Sequence, residues 1–148
     1  MEKRKGYSVN LVIEQDSLLS RYDSLSGKEI VYGNFYLEVA GIFYSSEHWN
    51  DFVVRLLMSW SHNLLNNRRG VLCFFDGPYE IKFVQEKNIT LTLEEIGEYQ
   101  IEIDEFYEGL SRCLIIVERH IKENNILIDR QKVIRKYINQ LKDIANIN

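Results

Sequence analysis

Residues 89–94, ITLTLE, place Ile89, Leu91 and Leu93 on one side of an extended chain and Thr90, Thr92 and Glu94 on the other. That period of two belongs to a strand with one buried and one wet face. VLCFFD (71–76) and YEIKFV (79–84) precede it across Asp76-Gly77-Pro78, Glu86-Lys87-Asn88 turns the chain into it, and EYQIEI (98–103) follows a bend at Gly97. Links this short cannot carry a parallel crossover, so the four segments predict an antiparallel meander. YSVNLVIE (7–14) and Phe35–Tyr44 read as further strands, the latter with Phe35, Leu37, Val39 and Phe43 on one face, for about five to six in all. Gln15–Lys28, rich in Ser, Asp and Gly, reads as a loop.

Helical periodicity takes over elsewhere. EHWNDFVVRLLMSWSH (47–62) predicts a helix capped at Ser45-Ser46 and stopped near Gly70. Trp49, Phe52, Val53, Leu56, Leu57, Trp60 and Leu64 share one arc, which leaves His48, Asp51, Arg55, Ser59 and His62 as a narrow polar strip. A helix from Glu105 to about Asn124, capped by Asp104, carries Phe106, Leu110, Leu114, Val117 and Ile121. A last helix, capped by Asp129, carries Val133, Tyr137, Leu141 and Ile144. The expectation is an α+β domain over residues 1–148, an antiparallel sheet packed on one face by three helices.

The chemistry-bearing residues give little sign of catalysis. His48 and Asp51 lie one helical turn apart, but His62 falls roughly 21 Å further along the axis, so the strip supplies no third metal ligand. Asp51 and Arg55 read instead as an i,i+4 pair in water. Cys113 and His120 sit two turns apart, too far for a thiolate–imidazolium pair, and Cys73 has hydrophobic neighbours; both cysteines read as core. Asp76 reads as turn chemistry, and the glycine spacing fits no phosphate or dinucleotide loop. No catalytic residue, metal or cofactor is expected. The enzyme alternative is a small hydrolase assembled from distant segments, Asp51 or Asp76 with His120.

Charge points to a surface. The net charge is −4, yet residues 94–111 hold seven acids and no Lys or Arg: Glu94, Glu95, Glu98, Glu102, Asp104, Glu105 and Glu108. Gln100 and Glu102 point outward from their strand, and acids in a helix's first turn also favour its dipole. Seven acids without counter-charge raise self-repulsion, which a binding surface for a basic partner explains. Arg130, Lys132, Arg135, Lys136 and Lys142 read as a solvated helix face, and a pI near 5.4 argues against nucleic acid. MEKRKGYSVN lacks the apolar stretch of a secretory leader and no apolar run would span a membrane, so a cytoplasmic chain is expected.

FYLEVAGIFYSSEHWNDFVVRLLMSWSHNLL followed by LCFFDGPYEIKF resembles small bacterial proteins encoded among toxin–immunity genes, over roughly residues 35–120. The resemblance implies an immunity protein, a non-enzymatic cytoplasmic antidote that blocks the toxin domain of a polymorphic or contact-dependent system. It carries no site residues. A basic, nuclease-like toxin would suit the acids at Glu94, Glu95, Glu98, Glu102, Asp104, Glu105 and Glu108, with Gln100 among them, because they can imitate a phosphate backbone. A self-associating adaptor, working as a homodimer through a helix gripped on two sides, is the other non-enzymatic expectation.

Overall fold

The structure, a computed structural model, describes residues 7–126 and 131–145. Among these residues it is α+β, with eight strands in two four-stranded antiparallel sheets and three helices. The first sheet contains β1 (Val9–Asp23), β2 (Lys28–Val39), β3 (Ile42–Tyr44) and the short β4 (Asn50–Asp51). β2 pairs with β1 along one edge and with both β3 and β4 along the other. After α1 (Val53–Asn66) comes the meander, β5 (Arg69–Cys73), β6 (Glu80–Gln85), β7 (Ile89–Leu93) and β8 (Gly97–Ile101), paired in sequence order. α2 (Ile103–Glu123) and α3 (Gln131–Ile144) complete the described chain.

The expected meander is present, but the front of the chain forms a sheet of its own. β1 runs on through Ser17–Asp23, which the polar composition assigned to a loop. It does so across an irregularity in which pairing jumps from Glu14↔Asn34 to Leu19↔Tyr32. Ser17 Oγ fills that gap, accepting the Asn34 N–H at 2.7 Å and donating to Glu14 O. Local hydroxyl bonding, the property that makes serine a loop former, here patches a bulge inside a strand. Phe43 also departs from expectation. Ala40 (φ 50°) and Gly41 (φ 78°) make a two-residue turn that pairs Glu38 with Phe43 and Leu37 with Tyr44. A primed turn of this length fixes the register, so Tyr44 points into the core and Phe43 outward, edge-on to Tyr36.

One core joins everything. Leu72, Ile81, Phe83, Ile89, Leu91, Leu93, Tyr99 and Ile101 from the meander and Val9, Leu11, Ile13, Phe35, Leu37 and Val39 from the first sheet are buried in it. Trp60 of α1 is the hub: its ring meets Phe35 at 5.3 Å and Phe74 at 5.2 Å, both edge-on, and its indole N–H donates to Cys73 O at 2.8 Å. Burying such a ring with its N–H satisfied is worth several kcal/mol, and truncation to Ala costs about 3–5 kcal/mol. α2 approaches β1 closely at Gly109, where a Cβ would lie 3.0 Å from Leu11 Cδ1. α3 buries Ile134, Ile138 and Leu141, one step round from the expected stripe, leaving Val133 and Ile144 exposed. Arg135 stays on the exposed side, yet reaches the buried Glu118 of α2 through two hydrogen bonds. Asp129 and Arg130 lie outside the described residues.

Candidate functional site

The first helix begins at Val53, not beside Ser45-Ser46, and this moves most of the unusual residues. Trp49 and Asp51 fit helical spacing by coincidence: Asn50–Asp51 pairs with β2 instead, at Gly33 and Asn34. Asp51 is fully buried, so no aqueous pair with Arg55 exists. Its carboxylate accepts the Trp49 indole N–H (3.1 Å) and the backbone N–H groups of Phe52 (2.7 Å), Phe75 (3.0 Å) and Asp76 (3.3 Å). A buried carboxylate is tolerable only when its lone pairs are occupied in this way. The result is a clamp that pins the 74–79 turn against β4. Gly77 (φ 151°) completes it, because a Cβ there would sit 2.6 Å from the Trp49 ring.

The residues of the enzyme alternative are therefore engaged separately. Asp51 has its four N–H donors, Asp76 is exposed in the turn, and His120 Nδ1 and carbonyl oxygen face the Asn124 amide at 3.3 and 2.9 Å. His48 meets Glu14 (Nδ1–Oε1 2.5 Å) and Glu47 (Nε2–Oε1 3.5 Å), but on an open surface where its ring is 60% exposed. The hydrogen bond to Glu14 raises the His48 pKa above its usual value. Cys113 is core as expected, its thiol pushed up to about 12 by burial. Cys73 is not: strand alternation turns Leu72 inward and Cys73 outward. Among the described residues, no three His, Cys, Asp or Glu side chains are placed to share a metal ion, and no helix is long and apolar enough to cross a membrane.

The acids divide along the edge of the meander. Glu94 and Glu95 are exposed at the β7–β8 turn, which the Ile96 N–H closes onto Leu93 O at 3.0 Å. Glu95 takes φ 65°, a left-handed conformation costly for a residue with a Cβ. Glu98 and Gln100 stand on β8 opposite Thr92 and Thr90, so their neighbours across the ladder are uncharged. The nearest cation in the Glu98 row is Lys82, a further strand away on β6. Glu102 precedes α2 and Asp104 sits in its exposed first turn. Five residues of β8 separate the two groups by roughly 17 Å.

Two members are committed internally. Glu105 Oε1 accepts the Val9 N–H at 3.0 Å, tying α2 to β1, and Glu108 pairs with Arg112 at 3.2 Å. Tyr7 lies on the same edge, its N–H reaching Gln100 O at 3.4 Å and its ring edge-on to Tyr99. The displayed acids are thus Glu94, Glu95, Glu98, Glu102 and Asp104, a ridge instead of a cluster.

Two clefts flank the turn at the ridge's end. One, of about 490 Å³, is lined by Tyr44, Ser45, Pro78, Tyr79, Glu94, Glu95 and Ile96. The other, of about 570 Å³, runs along Thr92, Leu93 and Glu95–Glu98. Ile96 stands between them, 41% exposed. No periodicity could reveal this grouping, because Tyr44 ends β3, Tyr79 belongs to the 74–79 turn and Ile96 to the β7–β8 turn.

No family model, curated protein or solved structure matches the chain.

Proposed function

We propose that the chain is a protein-binding antidote, an immunity protein acting in the cytoplasm that neutralises a cognate bacterial toxin domain through its acidic ridge. The observation that carries this reading is the display of Glu94 and Glu95 at the β7–β8 turn, Glu98 on β8 opposite the uncharged Thr92, and Glu102 and Asp104 at the start of α2. Five carboxylates on one edge form a negative field that speeds encounter with a basic surface and repels acidic competitors. A basic nuclease domain, whose own substrate is a polyanion, is the toxin class this field suits. The resemblance of residues 35–120 to immunity-type proteins points the same way.

The test is association with the product of the adjacent gene. Reversing Glu98, Glu102 and Asp104 to Lys slows association about tenfold or more at low ionic strength, and the difference shrinks as salt is added. Glu105 is left intact, since its bond to Val9 would confound the result. Equal association rates at low salt remove the ridge from the account.

A self-associating adaptor is the second reading, favoured by the outer half of the β1–β2 hairpin, where Leu19, Tyr22 and Leu25 are exposed. Sedimentation separates the two: a dimer lost on Leu25→Asp and Tyr22→Asp substitution supports the adaptor.

A further inference from the structure

We propose that the cleft between Tyr44 and Ile96 receives an arginine side chain of the protein partner. This inference rests on the reading of the chain as a binder of a basic protein, and it names the group that enters.

The lining is suited to a guanidinium on each count that matters. Glu94 and Glu95 contribute carboxylates at one side, and none of the lining residues is Lys, Arg or His. Tyr44 and Tyr79 meet edge-on at 5.6 Å, and Pro78 and Ile96 add apolar surface for the aliphatic stem. Guanidinium is planar, weakly hydrated and stacks on aromatic rings, which separates it from the strongly hydrated lysine ammonium. The Tyr44 hydroxyl donates to Glu80 O at 2.8 Å, so its position is set before any ligand arrives. Burial raises the Tyr44 pKa, and the Glu94 and Glu80 carboxylates add to the rise, which marks the field here as negative.

A second observation is independent of charge. Ser45, 8% exposed, lines the same cleft, and its Oγ is buried with no hydrogen-bond partner among the described residues. A buried hydroxyl without a partner is unfavourable, and each exception among buried polar atoms calls for a reason. A guanidinium brings five N–H donors on a rigid fork, enough to pair with a carboxylate and still point a donor toward the Ser45 side of the cleft. The walls are held in place from behind, since the Asp51 clamp fixes the backbone leading to Pro78, and Tyr79 packs edge-on against Trp49 at 4.9 Å.

The experiment titrates the isotopically labelled full chain with an acetylated, amidated Gly-Arg-Gly peptide and with its citrulline counterpart, which keeps the shape and loses the charge. The expected result is saturable shifts at the amides of Ser45, Tyr79, Ile96 and Gly97 with the arginine peptide. Affinity falls at least about tenfold with citrulline, and likewise for Glu94→Gln/Glu95→Gln, exposed changes whose folding the same spectra verify. Equal response to the two peptides, or no saturable shift at those amides, overturns the proposal. The peptide assay needs no toxin, so the two readings fail separately. Loss of peptide selectivity while the Lys reversals still slow association removes the cleft alone, and peptide binding without capture of the neighbouring gene's product removes the antidote alone.

Discussion

Two acidic regions of this molecule are built from the same residue types and do opposite things. Around Asp51 a carboxylate faces inward, and four N–H donors consume its hydrogen-bonding capacity. At the β7–β8 turn and on β8 the carboxylates of Glu94, Glu95 and Glu98 face outward, Glu98 opposite the uncharged Thr92, with no hydrogen bond or ion pair among the described residues. The first region spends its charge on holding a turn; the second leaves it for solvent or a partner. Whether a carboxylate is structural or available is decided by its donors, not by its abundance in the sequence.

The contrast can be broken most severely at its buried end. Asp51→Asn keeps the volume but turns an amide donor toward other donors, and about 2–4 kcal/mol of unfolding free energy should be lost. Chemical denaturation measures it, and a loss under about 1 kcal/mol would contradict the clamp. Gly77→Ala drives a Cβ into the Trp49 ring at a backbone angle that suits glycine, with an expected loss of about 1–3 kcal/mol. Trp49 fluorescence should shift with it.

At the displayed end the sign reverses. Glu95→Gly relieves the φ 65° conformation and should raise stability by about 1 kcal/mol while weakening partner binding. A gain in stability with binding intact would make Glu95 a turn residue only. The Lys reversals should cost about 1 kcal/mol of stability, nearly all of it from Glu102 and Asp104 at the N-terminus of α2 and little from Glu98.

The smallest effect is at His48. Its hydrogen bond to Glu14 raises the folded-state pKa above the ordinary 6.5. Whatever stability it lends is therefore full below that ordinary value and is lost as pH rises through the folded one. A proton titration should place the His48 midpoint above 6.5, and Glu14→Gln should bring it back down.

Much of the architecture was legible because local period and global packing agree there. Ile89, Leu91 and Leu93 alternate and are buried as they alternate, and Phe106, Leu110, Leu114, Val117 and Ile121 mark the buried face of α2. The readings that failed did so where a long-range partner overrode a local pattern. Trp49 and Asp51 satisfy helical spacing, yet Asp51 is captured by N–H groups twenty-four and twenty-five residues away. Ser17 belongs to a loop by composition and to a strand because Asn34 needs its oxygen. The acids were legible as a run, but not their division: that Glu105 belongs to Val9 and Glu108 to Arg112 requires the fold. Tyr44 and Ser45 gave no sign that they border Glu94, and only sheet-to-sheet placement brings them there.

The cleft beside Ile96 takes Tyr44 from the first sheet and Tyr79 and Ile96 from turns that link strands of the second. It straddles a seam, and neither half of the chain contains it. Any molecule seated there bridges the two sheets and acts as a staple across them, so occupancy and resistance to unfolding must rise together.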